Sequence, residues 1–346
     1  MGNRLTQGRL SNRHIMSTQT YGWTFDGSAA NRLRDKSAIG RPMGENTLLL
    51  SPAEVLFCHH YRNTPLPSAN WLDSVLENMP ALLFEYSVLE ALRVPGNKVV
   101  LNSNLDVFNE ECDSESWGAR WPSDNKPNNS APFAEIRWFH SSDLLNTSQL
   151  LEWANRVAGN NRIAEVLIVD DEFSVVTYRV EEVNPSGNIP CEKLLEKLVK
   201  TKGGVDIDGG RIYPAENWTI PQIGISIEDG VFVDSNSCQI IDNESMSESA
   251  SVLVDLLLRG LHPRPGFKYG TEWRCYDKII GEDHAPFLVT LPSKVPEDWV
   301  GACLTSRLAS GVNKTWLIPV ESDLNWKYLT VIRPPNDARW SSPNRR

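Results

Sequence analysis
The sequence predicts an α/β (α+β) fold made by tandem duplication, each copy a small helix-rich α+β subdomain followed by a mixed β-sheet flanked by helices. Three observations predict it. Short apolar runs of strand length alternate with stretches of helical periodicity, the mark of a mixed chain. Features of the first half recur in the same order in the second. A turn-rich joint, Asn184-Pro-Ser-Gly-Asn-Ile-Pro190, separates the halves. The length of 346 residues, about twice the ~150-residue norm for one domain, agrees with two units.

The recurring features set the alignment of the copies. Ser87-Val-Leu89 and Ser251-Val-Leu253 each open an apolar helical stretch. Phe108 then matches Tyr276, Ser130-Ala-Pro-Phe133 matches His284-Ala-Pro-Phe287, Arg156-Val-Ala158 matches Arg307-Leu-Ala309, and Leu167-Ile168 matches Leu317-Ile318. The offsets run 164, 168, 154, 151 and 150. Their single large step reads as an insertion in the first copy around Glu110–Asn129, whose Asp, Glu, Ser, Asn and Pro content predicts a loop.

Element by element, Ser51 caps a helix starting at Pro52, Lys98-Val-Val-Leu101 is strand-like, Glu192–Lys202 is helical and Gly230-Val-Phe-Val233 alternates as a strand. In the last third, Phe287-Leu-Val-Thr-Leu291 predicts a buried strand. A helix follows from Pro296, with Glu297 and Asp298 at its positive end. Val300, Cys303, Leu304 and Leu308 form its apolar face and Gly311 closes it. Thr315–Val320 and Tyr328–Arg333 complete a strand–helix–strand crossover and hairpin, turning at Ser322–Asn325. Pro319 places the first of these strands at an edge or near a strand end.

Composition narrows the class. Hydrophobic residues at 40% and charged residues at 23% describe a globular chain with a real core. No apolar run approaches the ~20 residues that cross a bilayer, and no secretory signal opens the chain. The six cysteines are scattered without metal-binding spacing, so no metal or other cofactor is expected and a reducing cytoplasm is the simplest compartment. Net charge is −10, which excludes indiscriminate nucleic-acid binding. From Leu261 onward, 12 Lys/Arg face 9 Asp/Glu, a net of +3, leaving 22 against 35, or −13, for the rest. A phosphate-bearing partner would be accepted mainly by the last third.

No Gly-rich phosphate loop, nucleophile elbow or zinc-helix motif occurs. Three second-copy residues stand out against their first-copy matches. Tyr276 falls opposite Phe108, His284 opposite Ser130, and Lys314 opposite Ala164 with Arg162 nearby. The second copy alone thus carries a phenol, an imidazole and an ammonium beside strand ends, as expected of a catalytic copy paired with a degenerate one. The plainer alternative is a half-buried strand tyrosine, a loop histidine and a surface lysine.

Phe267-Lys-Tyr-Gly-Thr-Glu-Trp-Arg-Cys-Tyr276, His284-Ala-Pro-Phe-Leu-Val289 and Arg307-Leu-Ala-Ser-Gly-Val-Asn-Lys314 together resemble the tRNA splicing endonuclease (tRNA-intron lyase) family, in its archaeal form with two repeats per chain. Leu48-Leu-Leu-Ser-Pro-Ala-Glu-Val-Leu56 is similar to the amino-terminal subdomain of these enzymes. The resemblance implies nuclease-like sheets, a catalytic triad of Tyr276, His284 and Lys314, and no metal requirement. Residues 1–183 become a non-catalytic repeat (subdomains about 20–85 and 86–183), 184–190 a linker, and 191–346 the catalytic repeat (subdomains about 191–250 and 251–333, then a mobile tail at 334–346). It implies a homodimer acting on precursor tRNA or another bulge–helix–bulge RNA. Arg307 sits where the family clamps a bulged base. A second such arginine is expected near the final hairpin, where Trp326-Lys327 is found instead, so Trp326 becomes a stacking candidate. Lys268 is a further substrate-binding candidate, and Glu110–Glu115 and Asp170–Glu172 are candidates for an acidic loop that pairs across the dimer.

The chemistry implied is attack of a ribose 2′-OH on the adjacent phosphate, giving a 2′,3′-cyclic phosphate and a 5′-OH. His284 suits the acid near neutrality and Lys314 supplies fixed charge where negative charge grows. A phenol ordinarily titrates near 10, so Tyr276 as base calls for neighbouring cations, with Lys314 the first candidate. The alternatives are a non-catalytic RNA-binding or assembly subunit and a metal-dependent nuclease using Asp277, Glu282 and Asp283.

Overall fold
The computed structural model describes residues 22–242, 245–281, 283–323 and 325–334. The tail from 335 onward, Glu282 and the first 21 residues lie outside that description. Strands β1 (Trp23–Asp26), β2 (Arg41–Gly44) and β3 (Thr47–Leu50) form a small sheet beside helices α1 (Ser28–Ser37), α2 (Pro52–Arg62), α3 (Trp71–Leu76) and α4 (Leu82–Arg93). The start of α2 is as the sequence predicts. The Glu54 N–H donates to Ser51 Oγ at 3.2 Å, the Ser51 N–H donates to the Glu54 carboxylate at 3.0 Å, and Pro52 occupies the first helical turn. Glu54 is buried and also accepts the Gly40 N–H at 2.9 Å, so one carboxylate both caps a helix and fixes the chain entering β2.

A first block of strands follows: β4 (Lys98–Leu101), β5 (Gly118–Trp121), β6 (Ala134–His140), helix α5 (Thr147–Gly159), β7 (Ile163–Val169) and β8 (Val175–Val183). After it come α6 (Leu194–Lys200), a small sheet of β9 (Val205–Ile207), β10 (Gly210–Pro214), β11 (Ile225–Ile227) and β12 (Gly230–Asp234), then α7 (Ser235–Asp242) and α8 (Glu248–Leu258). The second block is β13 (His262–Pro265), β14 (Trp273–Tyr276), β15 (Phe287–Val289), α9 (Trp299–Gly311), β16 (Thr315–Glu321) and β17 (Trp326–Ile332). Both blocks lie in one mixed sheet of order β13-β14-β15-β16-β17-β8-β7-β6-β5-β4.

Strand sense is the same in the two blocks: antiparallel, antiparallel, parallel across a helix, then antiparallel. They meet through antiparallel pairing of β17 with β8, Tyr328 facing Val183 and Ile332 facing Arg179. Helices α5 and α9 cover one face of the joined sheet, burying Trp153, Trp299 and Trp316 in a shared core. The joint between the halves is pinned, its Gly187 and Ile189 N–H groups donating to the Arg259 and Gly260 carbonyls.

Four local expectations change. The segment read as an inserted loop contains β5, whose four residues are all buried between two turns. Helix α9 starts at Trp299, because Asp298 is its N-cap and accepts the Gly301 N–H at 2.9 Å. Its buried face is Trp299, Ala302, Ser306 and Ala309, while Val300, Leu304 and Leu308 are more than half exposed. Close approach of the helix to the sheet favours small residues over large ones there. Pro319 lies in a central strand rather than at an edge. The Thr315 N–H bonds to Pro286 O and the Leu317 carbonyl to the Thr290 N–H, the residues that flank β15, so position 319 faces that same side, beyond Val289 where β15 has ended. The missing N–H of proline therefore costs no ladder bond.

Arg120 and Glu165 form a buried ion pair at 2.6 Å inside the first block. Removing one partner of such a pair typically costs about 3–5 kcal/mol, since a charge is left in low dielectric. Glu165→Ala should therefore lower unfolding free energy by about that much in urea titration. A loss below ~1 kcal/mol would mean that Arg120 finds water or another acceptor on its own.

Candidate active site
Register decides which residues of the second block meet. Cys275 faces Phe287, and Phe287 faces Thr315, across three adjacent strands. One residue further toward the same end, Tyr276, Pro286 and Lys314 form the next row, marked by the Thr315 N–H donating to Pro286 O at 2.8 Å. Tyr276 ends β14, and Lys314 immediately precedes β16. Residues in one row share a sheet face, so both side chains rise on the same side, two strand spacings or about 10 Å apart at the backbone. His284 lies two residues before Pro286 on the intervening chain. The sequence-predicted trio thus comes from three neighbouring strand ends.

The surroundings of each are distinct. Lys314 Nζ donates to the Ala285 carbonyl, next to His284, and lies 5.6 Å from the centre of the Tyr269 ring. That tyrosine belongs to the turn Phe267–Tyr269, which folds over the face and also carries exposed Lys268. His284 is exposed, its N–H donating to Asp283 Oδ1 at 2.8 Å. That bond and the Lys278 ammonium hold the Asp283 carboxyl below the usual carboxylate range. Tyr276 is half-buried beneath the Arg274 guanidinium, 5.8 Å from ring centre to Cζ. Directly across β13 from Tyr276 stands His262, 7% exposed, its Nε2 without a partner among the described residues. Burial, with the charge of Arg264, pushes His262 down to about 4, so it is neutral at pH 7.

Arg274 and Arg264 are thus cations on the strands beside Tyr276 that the sequence did not suggest. Arg264 faces Arg274, and its Nη1 donates to the Gly224 carbonyl at 2.7 Å and so ties β13 to the preceding subdomain. Nothing in the sequence places Arg264 and Arg274 opposite each other. Only the β13–β14 pairing does.

A groove of about 1020 Å³ opens at this end of the sheet and is lined by Arg307 and Arg333, by Arg179 paired with Glu181, and by Glu182 and Phe287. Arg333 directly follows Ile332, the last residue of β17, and its charge, like that of Arg307, reaches the Tyr178 and Cys303 side chains. Sequence reading looked for a second arginine near the hairpin, whereas the chain brings Arg333 into one groove with Arg307 at the opposite end of β17. Trp326 begins β17, about 20 Å along the strand from Ile332, with its indole N–H donating to Ser251 Oγ at 3.0 Å. The structure does not bring Trp326 to the trio.

This α+β chain thus presents a cluster of acid–base side chains at one strand end, with a groove at the same end of the sheet that holds both arginines and glutamates. Residues 246–328, the segment that builds this cluster, match the family model described as "tRNA intron endonuclease, catalytic C-terminal domain". The chain is similar to a tRNA-splicing endonuclease of Picrophilus torridus, 24% identical over 168 residues that make up 48% of this chain and 55% of that one. It is also similar to a tRNA-splicing endonuclease of Thermoplasma volcanium, 27% identical over 167 residues, 48% and 53% of the two chains. The chain spans about half the length of the curated relatives it matches. These matches support the resemblance read from the sequence.

The first block shows what the same topology does without the cluster. Arg120 faces Ala134 and Ala134 faces Ile163, so Trp121, Phe133 and Arg162 occupy the places of Tyr276, Pro286 and Lys314. Phe108, aligned with Tyr276 by sequence, instead ends a 3-10 segment (Asn102–Phe108), and Arg162 rather than Ala164 answers Lys314. Trp121 is buried, its indole N–H donating to Ser130 O at 2.7 Å. Arg162 pairs with Glu110 at 2.8 Å and Glu135 at 3.0 Å, while Arg156 pairs with Asp113 at 2.5 Å and Glu115 at 2.6 Å. The acidic stretch Glu110–Glu115 is thereby committed within its own block. At the other acidic candidate, Asp171 is 90% exposed at its side chain.

Burial pushes the Asp113 carboxyl up, but the Arg156 guanidinium and the Glu115 N–H outweigh it and hold the group below its usual value. A depressed carboxyl contributes stability above its unfolded pKa of about 3.9 and loses it as pH falls through the lower folded value. Asp113→Asn should therefore be less stable than the parent at pH 7, with the difference shrinking below about pH 4 in thermal melts. A difference independent of pH would assign the loss to packing rather than charge.

Proposed function
We propose that the chain is a tRNA-splicing endonuclease that cleaves precursor tRNA at exon–intron junctions in a bulge–helix–bulge RNA, acting as a homodimer without a metal cofactor. The observation that carries this reading is the convergence of Tyr276, His284 and Lys314 on three adjacent strand ends inside the family-matched segment. In this reaction the 2′-OH gives its proton toward Tyr276 as O2′ bonds to phosphorus. The P–O5′ bond breaks, and His284 protonates the departing O5′. Lys314 stands by the phosphate as it gains negative charge. The products are a 2′,3′-cyclic phosphate and a 5′-OH.

The groove with Arg307 and Arg333 is suited to an unpaired base and its phosphates, since guanidinium planes stack on bases and pair with phosphate oxygens. Lys268, exposed on the turn over Lys314, adds charge at the same margin. The first block, its cations neutralised by Glu110, Asp113, Glu115 and Glu135, serves as scaffold. Exposed Asp171 fits the acidic loop that would reach a second copy.

Incubation with a bulge–helix–bulge RNA in excess chelator tests the reading. Cleavage ending in a cyclic phosphate is expected, and His284→Ala or Tyr276→Phe should slow single-turnover cleavage by ~10²–10⁴-fold with RNA binding nearly intact. Cleavage restored only by magnesium, or binding with no cleavage, would overturn it. In the same assay Arg307→Ala and Arg333→Ala should weaken RNA binding, while Trp326→Ala leaves it unchanged. Weakening by Trp326→Ala would return that residue to the substrate surface.

A further inference from the structure
We infer that Arg274 is a phosphate-binding residue of this site, its guanidinium holding a phosphate of the RNA strand that neighbours the scissile linkage. The inference rests on the endonuclease reading above. Arg274 lies two residues before Tyr276 on β14, so both side chains stand on the face that carries Lys314. Its Cζ is 5.8 Å from the centre of the Tyr276 ring, against the group proposed to touch the nucleophile.

Its bonding leaves the guanidinium available. Among the described residues no carboxylate comes within ion-pair distance of Arg274, and its buried Nε has no acceptor. Arg264, facing it across β13, is by contrast fixed on the Gly224 carbonyl. Arg120, Arg162 and Arg259 each have a carboxylate partner, and buried Arg93 is held by three backbone carbonyls. A guanidinium held near a second one without a counter-ion is costly unless an anion arrives from outside, and its planar fork matches two oxygens of a phosphate.

The first block supplies the contrast. By register, Val100 facing Ala119 takes the place of Arg264 facing Arg274, and both are buried in an apolar cluster beneath Trp121. The fold therefore closes without charge at these two positions. Two arginines stand here only in the block whose strand end carries the phenol and the ammonium.

The test compares Arg274→Gln and Arg274→Lys with the parent, as full chains. Binding is measured against salt with a bulge–helix–bulge RNA carrying 2′-deoxyribose at the cleavage positions, so that no cleavage intervenes. Arg274→Gln should bind about tenfold more weakly, with the slope of log affinity against log salt shallower by ~0.7–0.9, the signature of one lost phosphate contact. Arg274→Lys, which keeps the charge, should retain the parental slope. Unchanged affinity and slope in Arg274→Gln overturn the inference, as does equal weakening in both variants with the slope unchanged, which marks a packing role. If the Gln chain does not fold, the Lys chain decides, and a shallower slope despite the retained charge overturns the inference. Parental cleavage of the all-ribose RNA in chelator is followed alongside. Its absence defeats the endonuclease reading, whereas parental cleavage with a Gln variant of unchanged binding defeats only the Arg274 assignment.

Discussion
Parallel pairing of β15 with β16 is the constraint from which the site follows. Two consecutive parallel strands need a crossover, supplied here by α9, so both strands begin at the same end of the sheet. The residues just before each start, His284 and Lys314, are then neighbours although 30 positions apart in sequence. Antiparallel β14 finishes where β15 begins, which adds Tyr276 to the same end. One exit and two entries thus deliver three polar side chains to a single margin, where backbone groups beyond the last ladder bond are free of the sheet and side chains reach solvent. The same rule governs β17, which runs away from its hairpin and delivers Arg333 there while carrying Trp326 to the far end.

The two blocks share this geometry and differ in charge. In the first, Arg162 and Arg156 are enclosed by four carboxylates, so any RNA phosphate would have to displace ion pairs already made. In the second, Lys314 is held by a neutral carbonyl and a ring face, and Arg307 and Arg333 line a groove that also holds Glu181 and Glu182 but form no ion pair among the described residues. A carbonyl positions an ammonium without cancelling its charge, which is the condition for interaction with an arriving anion. With the proposed function, the chain's overall charge of −10 would work in favour of selectivity, since phosphate would be repelled over most of the surface and accepted near this strand end.

Much of this was legible in the sequence because strand and helix periods are local properties. The Ser51 cap, β4, β15, β16 and β17 were all found from short windows. The meeting of the trio at one strand end was legible through residue type and order, while its proposed roles come from the family resemblance. Matching of the two halves failed where geometry replaces local pattern. The match of Phe108 to Tyr276 followed sequence offsets, and those offsets could not reveal β5 hidden between two turn-rich stretches. Once β5 is placed, Trp121 takes that position and the apparent insertion largely disappears. The apolar face of α9 was misread for a related reason. Periodicity ranks large aliphatic residues first, yet the sheet admits Ala302, Ser306 and Ala309 beneath the helix and leaves Leu304 and Leu308 outside.

Arg264, Arg274 and His262 were illegible for a deeper reason. Each is unremarkable in its own window, and their meaning arises only from cross-strand pairing with Tyr276 and with each other. Short antiparallel strands of four residues carry too few side chains for sequence to specify their register. The register is instead imposed from outside, by Arg264 reaching the Gly224 carbonyl and by the turn that lays Tyr269 over Lys314. The helix-rich subdomain ahead of the second block therefore does more than precede it. By anchoring β13 it sets which residue stands opposite Tyr276, and a slip of β13 by one residue would turn His262 and Arg264 to the other face of the sheet.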